Sequence, residues 1–229
     1  MFIRVLGSGD ASSSRFNTSI LIDDTILIDA GPTVPFQLFS MNILPRHILL
    51  THYHGDHVLG LPILMLRLAK SEKPIIYGFK ETIRKVKLLW NETYGLVEPE
   101  KIAEFRTFEH GEILQIEEYR VKVLQRPHGP IRSAVFKFDD VLAYATDVHD
   151  VEEDACYYMD VDVLIHEVGQ GSFHTSVGEL AGILSRANPR IAYIIHYPDD
   201  FDKDGLLKEV ERVYRGPVRF LERGMKIVV

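Results

Sequence analysis

Apolar positions along the chain fall into short runs cut by turn-forming residues, some with the two-residue period of strands and some with helical spacing. Strands are expected over residues 2–6, 18–23 and 25–29, the last two joined at Asp23-Asp24. A helix follows over 34–41, a strand over 46–50, one continuous helix over 57–70, a strand over 74–77 and an amphipathic helix over 81–92. Between residues 102 and 145 the pattern turns mostly to strands, at 113–116, 119–125, 133–138 and 141–145. The remainder alternates: strand 161–165, helix 176–187, strand 190–195, helix 204–214, and strands 218–221 and 225–228. Two β-rich blocks, each followed by helices, predict an α/β chain of two sheets with helices outside. No linker, low-complexity tract or internal repeat interrupts residues 1–229, so a single domain is expected.

Composition narrows the class. A 229-residue chain that is 46% hydrophobic can bury one large core or two small ones. The longest apolar stretch near the front, 58–66, contains Gly60 and Pro62 and falls far short of the ~20 residues that span a bilayer. No membrane association is expected, and because the opening residues lack a signal-peptide pattern a cytoplasmic protein is expected. The single cysteine, Cys156, rules out an intrachain disulfide framework and reads as structural among Glu152, Glu153, Asp154 and Tyr157. Net charge is −7, without the basic footprint that phosphate contacts impose on proteins holding long nucleic acids. Local clusters remain, Arg84, Lys85 and Lys87 on one helix and Arg126 and Arg132 flanking His128. The balance points to a small anionic substrate or a short nucleic-acid end.

The strand at 46–50 runs into His52-Tyr53-His54-Gly55-Asp56-His57, four candidate ligands within six positions. His52 and His54, two apart on extended chain, point the same way, while Asp56 and His57 lie beyond a glycine that lets the backbone turn. Three imidazole nitrogens and a carboxylate oxygen suit divalent transition metals, zinc first, with manganese and iron also compatible. The split into two pairs suits two ions.

This H-x-H-x-D-H string resembles the first ligand block of the metallo-β-lactamase fold superfamily. The resemblance implies a four-layered αββα sandwich and further ligands in the order His, Asp, His at strand ends. His128, Asp147 and His196 occupy such places. Other features resemble the ribonuclease Z-like and phosphonate-pathway cyclic phosphodiesterase-like branch. They are Gly7-Ser8-Gly9 followed by Arg15-Phe16-Asn17-Thr18-Ser19, the strand ending Asp29-Ala30-Gly31, Val58-Leu59-Gly60-Leu61, His166-Glu167 and His174-Thr175-Ser176. As a phosphate cradle Gly7-Ser8-Gly9 is weak, and a plain turn is the commoner meaning. Asp29 reads equally as a carboxylate behind a ligand histidine and as a turn cap. Val168-Gly169 departs from the branch pattern. Ribonuclease Z also carries a long arm between the ligands corresponding to His128 and Asp147, here 147 − 128 = 19 positions apart, room for one hairpin.

What the resemblance implies is a dinuclear metal phosphodiesterase acting on a small or cyclic phosphodiester or a nucleic-acid end, with a homodimer possible. His52, His54 and His128 hold one ion, Asp56, His57 and His196 the other, and Asp147 bridges. Catalysis is assigned to Asp56, which doubles as a ligand, and to His174, a general acid or transition-state stabiliser. His166 and Glu167 are candidates for supporting contacts. Three alternatives stay open: a ribonuclease Z-like transfer-RNA 3′ endonuclease without the arm, a lactonase or thioesterase, and a metal-holding interaction domain.

Overall fold

The computed structural model describes residues 1–229, whose strands sort into two seven-stranded mixed sheets in different units of the chain. The first unit comprises Met1–Ala11, Arg15–Phe108 and Glu222–Val228. Its sheet runs β14 (Lys226–Val228), β1 (Phe2–Gly7), β2 (Ser19–Ile22), β3 (Ile26–Ile28), β4 (His47–Leu49), β5 (Ile75–Gly78), β6 (Glu104–Thr107). Neighbours are antiparallel from β14 to β3 and parallel from β3 to β6. The β2–β3 hairpin turns through left-handed Asp23 and Asp24 (φ 47° and 57°), the conformation whose twist matches paired strands. Parallel neighbours need crossovers, supplied by α1 (Val34–Ser40), α3 (Leu61–Leu68) and α4 (Lys80–Thr93). Leu38, Leu64, Met65, Ile83, Val86 and Trp90 of these helices pack with Leu27, Ile48 and Ile76 of the strands. β3 and β4 are buried throughout, which is why, His47 apart, they read as apolar runs.

The expected helix at 57–70 is two helices, α2 (Gly55–Val58) and α3. Gly60 gives its N–H to the Ala30 carbonyl, and a Cβ there would lie 2.2 Å from the Gly31 oxygen. The chain therefore breaks where it docks on the Asp29-Ala30-Gly31 loop. Pro62 restarts it in the first turn, where its missing N–H costs nothing. The edge strand β6, mostly exposed and without clear alternation, is a strand that periodicity did not indicate.

The second unit comprises Ser12–Ser14, Glu109–Leu221 and Val229. Its sheet runs β13 (Val218–Phe220), β12 (Ile191–Ile195), β11 (Val163–Glu167), β10 (Leu142–Ala145), β9 (Ile131–Phe138), β8 (Tyr119–His128), β7 (Ile113–Ile116). It is parallel from β13 to β10 and antiparallel beyond. α5 (Val177–Ala187) starts at a reciprocal cap between Ser176 and Glu179 and stops at left-handed Asn188. It buries Leu180, Ile183 and Leu184, each worth about 2–5 kcal/mol against truncation to alanine. α6 (Lys203–Glu211) is capped by Asp202. A 3₁₀ helix, Glu152–Tyr157, packs against α5 and leaves Cys156 exposed. No helix is long and apolar enough to cross a membrane.

Candidate metal centre

Most of the chemistry-bearing residues follow the carboxyl ends of parallel strands, where α/β sheets leave an open crevice, while His128 ends the antiparallel β8. In the first unit Asp29 follows β3 in a left-handed conformation (φ 61°) and is fully buried. Its carboxylate accepts the Thr51 N–H at 2.9 Å, the Thr51 hydroxyl at 2.8 Å and Nδ1–H of His57 at 2.8 Å. Burial raises its pKa, and His57 and Thr51 offset that only in part. An acceptor at Nδ1 makes Nε2 the lone-pair nitrogen of His57. The same logic passes through Thr51. Its one hydroxyl proton goes to Asp29, so its oxygen accepts Nδ1–H of His52 at 3.0 Å and Nε2 of His52 also carries the lone pair. The His52 ring lies 4.6 Å from His54 and 4.3 Å from His57, centroid to centroid. Gly31 lets the Asp29 loop reach this block, since a Cβ at 31 would lie 2.2 Å from the Asp56 carbonyl oxygen.

In the second unit β8 extends to His128, whose Nδ1 donates to the Phe173 carbonyl at 3.0 Å. Asp147 follows β10 and His196 follows β12, both left-handed (φ 53° and 55°). Non-glycine residues in this region concentrate at functional sites. Glu167 ends β11 fully buried, accepting the Val148 N–H at 2.6 Å and Nδ1–H of His174 at 2.7 Å. Burial alone raises its pKa, but hydrogen bonds from His174 and His196 outweigh that and hold the carboxyl below its ordinary value. His174 mirrors this. Burial disfavours its cation, yet the Glu167 bond and charge raise its pKa above the ordinary imidazole value. Both shifts favour the charged pair, and Asp147, His174 and His196 offer ligand atoms within 4.8 Å of one another.

The donor set fits divalent metal. His57 Nε2, a lone-pair atom, lies 3.2 Å from Asp56 Oδ2. His128 Nε2 lies 3.4 Å from Asp147 Oδ1, and His196 Nε2 lies 3.2 Å from Asp147 Oδ2. Acceptors that close repel unless a cation, a metal ion or a ring proton, sits between them. Imidazole nitrogens with carboxylate oxygens are the ligands zinc, manganese and iron accept.

Other candidates fall outside this chemistry. His166 bonds away from the ligands, donating to the Glu167 carbonyl at 2.8 Å and to Asp150 at 3.3 Å, beside Tyr158 and Arg126. Arg126 binds Asp150 and Asp154 and is therefore structural. Arg84 pairs with Glu81 and Lys87 with Glu100, leaving Lys85 over the Tyr53 ring at 5.3 Å. The Ser8 and Gly9 N–H groups both go to the Phe16 carbonyl, so Gly7-Ser8-Gly9 ends β1 and bridges to Asn17, with neither a turn nor an anion cradle. Sequence reasoning missed Thr51 and the Phe173 carbonyl. Thr51 carries a faint signal as a polar residue ending an apolar strand run, and a carbonyl carries none.

The family model for anti-Pycsar protein Apyc1 matches residues 1–225. The chain is similar to the anti-Pycsar protein Apyc1 of Paenibacillus sp. (strain J14), 29% identical over 87% of this chain and 90% of that one. It is similar to the ribonuclease Z of Pyrococcus abyssi (strain GE5 / Orsay), 35% identical over 51% of this chain and 40% of that protein. Among solved structures, the metallo-β-lactamase fold protein YhfI of Bacillus subtilis superposes with a TM-score of 0.82 at 19% identity, covering 99% of this chain and 98% of that one. The fold class implied by the ligand string, the metallo-β-lactamase fold, is the fold this likeness shows.

Proposed function

We propose that this chain, which belongs to the anti-Pycsar protein Apyc1 family, binds two divalent ions and hydrolyses one ester bond of a cyclic nucleotide. The chain is a metal-dependent phosphodiesterase. Proteins of its family degrade cyclic nucleotides, and a small cyclic phosphodiester suits a chain with 33 acidic against 26 basic residues. His52, His54 and His128 are assigned to one ion, Asp56, His57 and His196 to the other, and Asp147 to both. Zinc is proposed first, ahead of manganese and iron.

One observation carries the reading: Asp29, Thr51 and the Phe173 carbonyl hold Nδ1 of His57, His52 and His128, which leaves Nε2 of each as the lone-pair nitrogen. Bound at such a site, paired divalent ions polarise the phosphoryl oxygens and supply water as a nucleophile at neutral pH. The chain's own residues do the rest. Water adds across one P–O bond, its oxygen to phosphorus and a proton to the leaving ribose oxygen. His174 donates that proton from Nε2, with Glu167 holding Nδ1 and raising the ring's pKa, and the proton lost by the attacking water restores it. The product is a linear nucleoside monophosphate.

Transfer-RNA processing is disfavoured by the segment between His128 and Asp147, which is consumed by β9, its turn and β10. A hydrolysis panel on metal-replete protein tests the proposal. It should contain 3′,5′- and 2′,3′-cyclic nucleotides, an aryl phosphodiester, a precursor transfer RNA and a lactone. Cyclic nucleotides should be hydrolysed fastest, with two metals per chain by elemental analysis. Preferred cleavage of transfer RNA or lactone overturns the substrate, and one metal in a fully active protein overturns the dinuclear centre.

A further inference from the structure

Beside the proton donor, Phe173 keeps 50% of its surface exposed although its ring is apolar. Its position is held from both sides. The Phe173 carbonyl accepts from His128 at 3.0 Å, the Ser172 carbonyl accepts from His149 at 2.6 Å, and the next residue, His174, is tied to Glu167. The ring centroid lies 6.4 Å from that of His128. Beneath the ring is Gly129, left-handed at φ 56°. A methyl group at Gly129 would come 2.9, 3.0 and 3.1 Å from Cδ1, Cε1 and Cγ of Phe173. Near-equal distances to three successive ring carbons place that point over the face of the ring, since an approach from the edge would favour one carbon. One face is thus backed by main chain that admits no side chain, and a pinned ring needs little further ordering to receive a flat partner.

We infer that Phe173 is the stacking platform for the nucleobase, a specificity-determining residue that selects nucleotides among cyclic phosphodiesters; the inference rests on the cyclic-nucleotide reading above. A base attached one sugar away from a phosphate at His128 reaches a ring of this placement. Stacking on an aromatic face tolerates any base, so the residue confers preference for nucleotides without choosing between purine and pyrimidine.

The test compares metal-loaded wild type, Phe173→Ala and Phe173→Trp on a 3′,5′-cyclic nucleotide and on methyl ribofuranoside 3′,5′-cyclic phosphate, which lacks the base. Phe173→Ala keeps the carbonyl that orients His128. It should raise KM for the nucleotide roughly 5- to 100-fold relative to KM for the baseless ester, and Phe173→Trp should restore the nucleotide KM. An equal fall in kcat on both substrates would make Phe173 a loop tether and overturn the inference, as would an unchanged KM. Calorimetric binding of a nucleoside monophosphate against ribose 5-phosphate reads the stack without turnover. If wild type hydrolyses no cyclic nucleotide, the substrate proposal fails, and this binding difference still decides the role of Phe173.

Discussion

Asp29 accepts three hydrogen bonds, and each donor loses its partner differently if one oxygen becomes an amide. Asn tolerates the left-handed backbone, so Asp29→Asn should fold. Its NH2 would confront either the Thr51 hydroxyl proton or His57 Nδ1–H, favouring the wrong tautomer. Metal affinity should drop about 10- to 100-fold, read by competition with a chelator; unchanged affinity would reduce Asp29 to a turn cap. His174→Ala should lower kcat by about 10²–10⁴ while both metals stay bound. A fully active variant would remove His174 from the reaction. Asp147→Ala should instead lose metal, and retained two-metal stoichiometry would end its bridging role. The residue types at these positions were legible in the chain, whereas their tautomers depend on partners far along it. His128 is oriented by a carbonyl 45 residues away, and His57 by a carboxylate 28 residues away.

The elements that deliver these residues were readable by period, because buried parallel strands are mostly apolar runs and α5 carries its own start and stop signals. The break between α2 and α3 was not readable. Its cause is the Asp29-Ala30-Gly31 loop pressing on Gly60, a contact 30 residues apart that leaves helical spacing intact on both sides. That docking supports a further expectation. Gly31→Ala would drive a Cβ to 2.2 Å from the Asp56 carbonyl oxygen, with Asn17 Cβ at 3.2 Å, so backbone would have to move. A cost of about 1–3 kcal/mol should show as a lowered Tm, accompanied by reduced metal content. A variant with wild-type Tm and two metals would show that the loop accommodates the methyl group.

For the molecule as a whole, the buried network of His166, Asp150, Tyr158 and Arg126 contributes to how stability follows pH. Burial works against the His166 cation, but Asp150 outweighs it and raises the folded pKa above 6.5. Its contribution is complete below the unfolded value of 6.5 and is lost as pH rises through the folded pKa. Burial likewise opposes ionised Asp150, but His166, Arg126 and Tyr158 outweigh it and lower the pKa below 3.8. That share is present above 3.8 and is lost as pH falls through the lowered pKa. Thermal denaturation of chelator-treated wild type and His166→Gln, compared at each pH, should show a difference that shrinks on the alkaline side of 6.5. A difference independent of pH would mean that His166 is buried neutral. By itself the sequence determined the candidate residue types, their order, the fold class and the short hairpin where an arm would stand. Each of these is a matter of what lies next to what along the chain. Only the tertiary structure decided that Glu167 supports the site while adjacent His166 serves a separate network, since successive residues on a strand face opposite sides of the sheet and meet different neighbours. It also decided that Asp29, Asp147 and His196 are left-handed, because that conformation is stable only where surrounding hydrogen bonds and packing hold it.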